Sequence, residues 1–168
     1  DVVMGSLAIA KHAEKSKGGS SLFPEGKEAE IDHWADVAER MTSAGRNRLL
    51  GRMLQSKKAQ AEALPSFVPG VARGVLAPSA GMAVRFLANK YNISRDAAAV
   101  DAEAERTIRP LLEETREAIK EGGYVLSKDC FTFADIALAS SLQVLMPRME
   151  SPLGPATRVA LRTLVERT

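Results

Sequence analysis

Phe131-Thr132-Phe133-Ala134-Asp135 opens the stretch that most limits what this chain can become. Thr132 has the side chain of a helix N-cap, since its hydroxyl can accept a backbone N–H two or three residues on. Asp135 follows three residues later. From there its carboxylate reaches back to the Thr132 N–H, a capping box with Asp in place of Glu or Gln. A carboxylate in the first turn also suits the positive end of the helix dipole. Phe131 before the cap and Ile136 after the first turn are spaced to close a hydrophobic staple. From Ile136 to Leu145 the residues are apolar or small, Gln143 apart. A helix apolar nearly all round belongs in the middle of a bundle. Its start must be accurate, because its unpaired N–H groups would otherwise be buried without partners. The expected fold is all-α, a bundle of roughly five to seven helices around the Thr132-capped one.

The rest of the chain supplies the surrounding helices. Near Lys27 a long helical stretch begins, with Ile31, Trp34, Val37, Ala38 and Met41 at spacings of three and four. Gly45 bends or ends it, and Leu49, Leu50, Met53 and Leu54 form a second run that Pro65 stops. One kinked helix and two in line both fit this pattern. Pro65 to Gly81 holds three prolines and three glycines, so short helical turns are expected there. Met82 to Tyr91 reads as a helix with Met82, Phe86 and Leu87 inward. Asn92-Ile93-Ser94 is a turn, and Ser94 is placed to cap the next helix.

Ser94 to Glu121 carries the apolar stripe Ala97, Val100, Ala104, Ile108, Leu111, Leu112, Thr115, Ile119, with a solvated charged face opposite. Pro110 should kink it, and Gly122-Gly123 should stop it. Pro147 ends the apolar helix, and Pro155 suits the first position of a final one, Ala156 to Arg167. At the other end, Val2-Val3-Met4 reads as the end of a strand. Ser6 is the expected N-cap of a short helix over Leu7 to Glu14, and residues 15–25 form a polar linker.

Composition excludes several classes of function. With 168 residues the chain can bury one sizeable core. Its net charge of +2, with basic and acidic residues interspersed, gives no reason to expect nucleic acid. No apolar run reaches transmembrane length, so no membrane partner is expected, and the N-terminus lacks a signal-peptide pattern. Cys130 is the single cysteine, which fits a reducing cytosol and leaves no internal disulfide. Beside Phe131 and the buried cap, its thiol is expected to be inert. His12 and His33 have no metal-ligand spacing, and no Lys-bearing phosphate loop is present. No metal site and no catalytic constellation is expected.

The Thr132-x-x-Asp135 cap followed by Ile136-Ala137-Leu138 resembles the buried central helix of the C-terminal domain of glutathione transferases. The order around it resembles that domain more specifically: helix, Gly122-Gly123 stop, Tyr124-Val125-Leu126, polar turn, capped apolar helix. Ile31-Asp32-His33-Trp34 is similar to the opening of that domain's first long helix. The resemblance implies a division into 1–14, the tail of a thioredoxin-like domain; 15–25, a linker; and 26–168, the helical domain. Ser6 would then hold the γ-glutamyl end of glutathione, with Gly5 where the family has an acidic residue or Gln. Arg40, Met41 and Asn47 would line the electrophile pocket.

The resemblance also implies glutathione as co-substrate, a small electrophile, a homodimer and a cytoplasmic location. The activating residue would lie in the thioredoxin-like half, so these residues alone should be inactive. A non-catalytic protein–protein interaction module of the same fold is the alternative.

Overall fold

The computed structural model describes residues 2–18, 21–62 and 70–145. Among them there are helices and no strands: α1 Ser6–Lys17, α2 Glu28–Gln55, α3 Lys57–Glu62, α4 Gly70–Lys90, α5 Ala97–Ala118 and α6 Phe133–Leu145. The all-α class expected from sequence is present. Val2 to Met4, read as a strand end, have no regular structure. The expected final helix Ala156 to Arg167, Pro147, and Pro65 to Pro69 lie outside the described residues.

The helix around which the others gather is α2, not α6. Of the described helices, α3, α4, α5 and α6 all pack on α2. Its N-terminal half contributes Trp34, Val37, Ala38 and Met41 to a core closed by Ala104, Ile108 and Leu111 of α5 and Ala134, Leu138 and Leu145 of α6. Its C-terminal half puts Leu50 and Met53 against Ala59 of α3 and Val84 of α4. One helix serves both cores because it continues through Gly45. A Cβ there would lie 2.9 Å from Leu145 Cδ2, so this glycine is an approach point for α6 and not a break.

Helix α6 buries one stripe, Ala134, Leu138, Ser141 and Leu145, while Ala139, Ser140 and Gln143 are exposed. The sequence pattern overstated its burial because Ala and Ser count as small on any face and cost little in water. Ser141, the polar member of the stripe, donates to Leu138 O at 2.8 Å.

Several helix boundaries differ from the sequence reading, and α1 runs to Lys17, three residues into the stretch read as linker. Ser6 is the first residue of α1 and not its cap; Gly5 holds the cap position at φ 90° with no side-chain cap bond. Asp96 caps α5, its Oδ1 accepting the N–H groups of Ala98 and Ala99, while Ser94 Oγ accepts the Asp96 N–H. The segment expected to be broken into turns is instead helical from Gly70 through Pro78 and Gly81 to Lys90. Within α5 the stripe is as read up to Thr115, and the helix runs on through Pro110. Ile119 is exposed at its C-cap.

The largest correction concerns the facing of α4. Met82 and Phe86, expected inward, are 62% and 68% exposed, and Leu87 is also exposed. Among the α4 residues whose burial is described, Ala80, Gly81, Val84 and Ala88 are the buried ones. Both stripes are apolar with the same period. The close approach of α4 to α3 selects the smaller one: at Gly81 a Cβ would lie 2.9 Å from Gln60 Oε1. Phe86→Ser should therefore move the urea midpoint by the equivalent of no more than about 0.5 kcal/mol. Val84→Ser should cost about 2–3 kcal/mol. The reverse order would show that the outer stripe is the packed one.

Candidate functional site

Two constellations stand out, the Asp135 clamp and a cleft between α2 and α5. The clamp comes from the capping box. Asp135 Oδ2 accepts the Thr132 N–H at 2.8 Å and the Thr132 hydroxyl at 3.0 Å, and Oδ1 accepts the Val125 N–H at 2.8 Å. The reach back to the Thr132 N–H is as the spacing predicted. The Thr132 hydroxyl differs, because it donates to the carboxylate. One carboxylate thus fastens the loop from α5 to the start of α6. Gly123 makes that loop possible: at φ +94° a Cβ would meet Lys128 Cα at 2.5 Å, and the Tyr124 N–H donates to Ser127 O at 3.0 Å.

Helix α6 is also held from the front. The Phe133 N–H donates to Leu22 O at 3.0 Å, and the Phe133 ring stacks on Phe23 at 5.4 Å. Glu14 of α1 receives the Leu22 N–H and the Ser21 hydroxyl, both at 2.8 Å. Residues 21–23 of the linker are therefore tied to both α1 and α6. The staple expected between Phe131 and Ile136 is replaced by this Phe23–Phe133 stack. Phe131 is 46% exposed and meets Tyr124 edge-on at 5.4 Å, and Ile136 is exposed.

The cleft has a volume of about 450 Å³ and lies between α2, the first half of α5 and the turn at 92–94. Its apolar wall is Ala44, Ile93, Val100 and Ala104, and its polar rim includes Arg40, Asn47, Glu103 and Thr107. Helical periodicity explains the grouping. Arg40, Ala44 and Asn47 are one face of α2, and Val100, Ala104 and Thr107 one face of α5. Two of the three expected pocket residues, Arg40 and Asn47, meet here. Met41 does not. It is fully buried in the core that α2 shares with α5 and α6, where the Ser141 hydroxyl points at its Sδ from 3.9 Å. Ser6 is exposed at the start of α1, which joins α2 at its other end through Lys11 and Asp32, 2.7 Å apart.

Charges around the cleft are arranged unequally. Arg46, one turn beyond Thr42, lies over the Tyr91 ring at 4.2 Å and donates to Ser43 Oγ at 3.1 Å. Glu103 Oε2 accepts from Arg106 Nη1 at 2.7 Å. Arg40 Nη1 approaches Asp36 Oδ2 only to 4.0 Å. Asn47 Oδ1 and Arg46 Nε are buried polar atoms without a hydrogen-bond partner among the described residues.

Behind the cleft α2 and α5 are joined by Arg48, Arg52 and Asp101. Arg52 Nε and Nη2 form a two-pronged pair with Asp101 at 2.9 and 2.7 Å, and Arg48 Nε donates to the same carboxylate at 3.1 Å. Burial pushes the Arg48 guanidinium below its ordinary value, Arg52's charge adds to this, and Asp101 opposes it. Burial alone would raise the Asp101 carboxyl. The hydrogen bond and charge of Arg52, with Arg48 behind them, hold it below its usual value instead.

Sequence reasoning missed the 92–94 turn, Glu103 and Thr107 as cleft residues, and it missed the Arg48–Asp101–Arg52 cluster. The usable signal was Arg48 and Arg52, two cations four apart on the flank of an apolar run. Among the described residues no group of three or more His, Cys, Asp or Glu is placed to hold a metal ion, and no helix is long and apolar enough to cross a membrane. No protein-family model, curated protein or solved structure matches the chain.

Proposed function

We propose that these residues are the helical domain of a glutathione transferase-like protein, with the tail of a thioredoxin-like domain at 1–14. The α2–α5 cleft is where the electrophile sits. The observation that carries this reading is the cleft itself, an apolar hollow beside the first long helix, with Arg40 and Asn47 on its rim. The Asp135 clamp and the all-helical bundle support the same family. In the reaction the glutathione sulfur forms a bond to the electrophilic carbon, and a leaving group such as chloride departs with its electron pair. This chain's part is to hold that carbon within reach. The thiolate is generated in the thioredoxin-like half. The same reading makes the protein a cytoplasmic homodimer that detoxifies small electrophiles.

A second reading, a non-catalytic interaction module, is favoured by one observation: α4 turns Met82 and Phe86 to solvent. Large exposed apolar side chains grouped on one helix face mark surfaces that bind partners. Expressed from its complete coding sequence, the protein should be retained on immobilised glutathione and eluted by free glutathione. Passage without retention supports the interaction module. The 168 residues alone should not accelerate chloride release from a chloro-nitroaromatic, and acceleration by them would contradict the division of labour.

A further inference from the structure

We propose that the cleft selects electrophiles that carry a carboxylate beside the apolar ring, and that Arg40 is the residue that receives it. The inference rests on the reading of the cleft as the electrophile pocket and adds a substrate class to it. The volume of about 450 Å³ is that of a site for a small organic ligand. Ala44, Ile93, Val100 and Ala104 offer only aliphatic surface, which suits the body of a ring. Specificity then falls to the rim, which holds two charged residues, Arg40 and Glu103.

These two are not equivalent. Arg106 already holds the Glu103 carboxylate at 2.7 Å, which offsets the repulsion it would exert on an incoming anion. Among the described residues Arg40 has its nearest acidic oxygen, Asp36 Oδ2, at 4.0 Å, beyond hydrogen-bond reach. Its guanidinium presents a planar fork of N–H donors, and a carboxylate is the planar acceptor that fills it two-pronged. The side chain is 55% exposed at the mouth, so an anion can approach it from solvent. Arg46 does not compete for that role, because its guanidinium lies on Tyr91 and bonds Ser43. The other polar lining residues, Ser43, Asn47, Asn92, Ser94 and Thr107, are uncharged.

The test compares 4-chloro-3-nitrobenzoate with its neutral amide, 4-chloro-3-nitrobenzamide, by calorimetric titration into the intact chain. The acid should bind at least about tenfold more tightly than the amide, and added salt should weaken the acid alone. Arg40→Gln should remove the preference by weakening the acid, and an unchanged thermal melt followed by circular dichroism shows that the variant is folded. Arg40→Lys should restore only part of the preference, because an ammonium is a point charge and not a fork. If acid and amide bind equally, or if the preference survives Arg40→Gln, the carboxylate inference fails while the pocket stands. If neither probe binds, the pocket reading fails and this inference with it.

Discussion

Asp135→Ala should lower the stability of the chain by about 2–4 kcal/mol in a urea titration, while Asp36→Ala stays within about 0.5 kcal/mol of the parent. The two carboxylates have the same chemistry and different neighbours. Asp36 stands exposed on α2 with Arg40 at 4.0 Å. Asp135 accepts two backbone N–H groups and the hydroxyl of Thr132, a residue with no exposed surface. Removing it leaves the Thr132 and Val125 N–H groups without acceptors and takes a negative charge from the first turn of α6. The loss should also appear as faster amide exchange at Val125, because that residue is held by a carboxylate ten positions away. Equal midpoints for the two variants would mean that the α5–α6 loop is held by other contacts.

Asp101→Asn should cost about 3 kcal/mol. Arg48 is 4% exposed and shares the Asp101 carboxylate with Arg52, with the charge of Glu105 acting on Arg48 more weakly. Asparagine keeps the shape but takes away the charge that offsets two guanidinium groups. The parent should also show a pH dependence that the variant lacks. The Asp101 carboxyl is held below its usual value in the folded chain, so folding favours its ionised form. That stabilisation is complete above the unfolded value of about 3.9 and fades as pH falls through the lower folded value. The gap between parent and Asp101→Asn should therefore be widest above about pH 5 and close toward strong acid. A gap that stays constant from neutral pH to acid would show that the carboxylate contributes no charge-dependent stabilisation.

What could be read from sequence was local. Thr132 and Asp135 are three residues apart, so the capping box is visible as a spacing, and the structure contains it. The α5 stripe from Val100 to Thr115 repeats every three to four residues and is the buried one. Gly122-Gly123 needed only a backbone argument, and both glycines have positive φ.

What could not be read depended on distant neighbours. Met82/Phe86 and Ala80/Val84/Ala88 are both acceptable helix stripes. Only the closeness of α3 and α2 decides that the smaller one goes inside. Gly45 read as a break because a glycine within a helix gives no sign of packing against Leu145, a hundred residues on. Arg40 and Asn47 could be nominated only through the resemblance of their helix to the first long helix of the glutathione transferase domain. Glu103, Thr107 and the 92–94 turn reach the same cleft through tertiary packing, for which the sequence held no local mark. Met41 differs from Arg40 by one position, and on a helix that is enough to send it from the cleft to the core.

The central claim, that the α2–α5 cleft is a small-molecule pocket, is tested most directly by a ¹H–¹⁵N titration of the chain with a chloro-nitroaromatic. Saturable shifts should be confined to residues that line the cleft, among them Arg40, Ala44, Asn47, Ile93, Val100 and Thr107. Met82 and Phe86 on the outer face of α4 should stay fixed. Saturable shifts on α4 with a silent cleft, or no saturable shift at all, would contradict the claim.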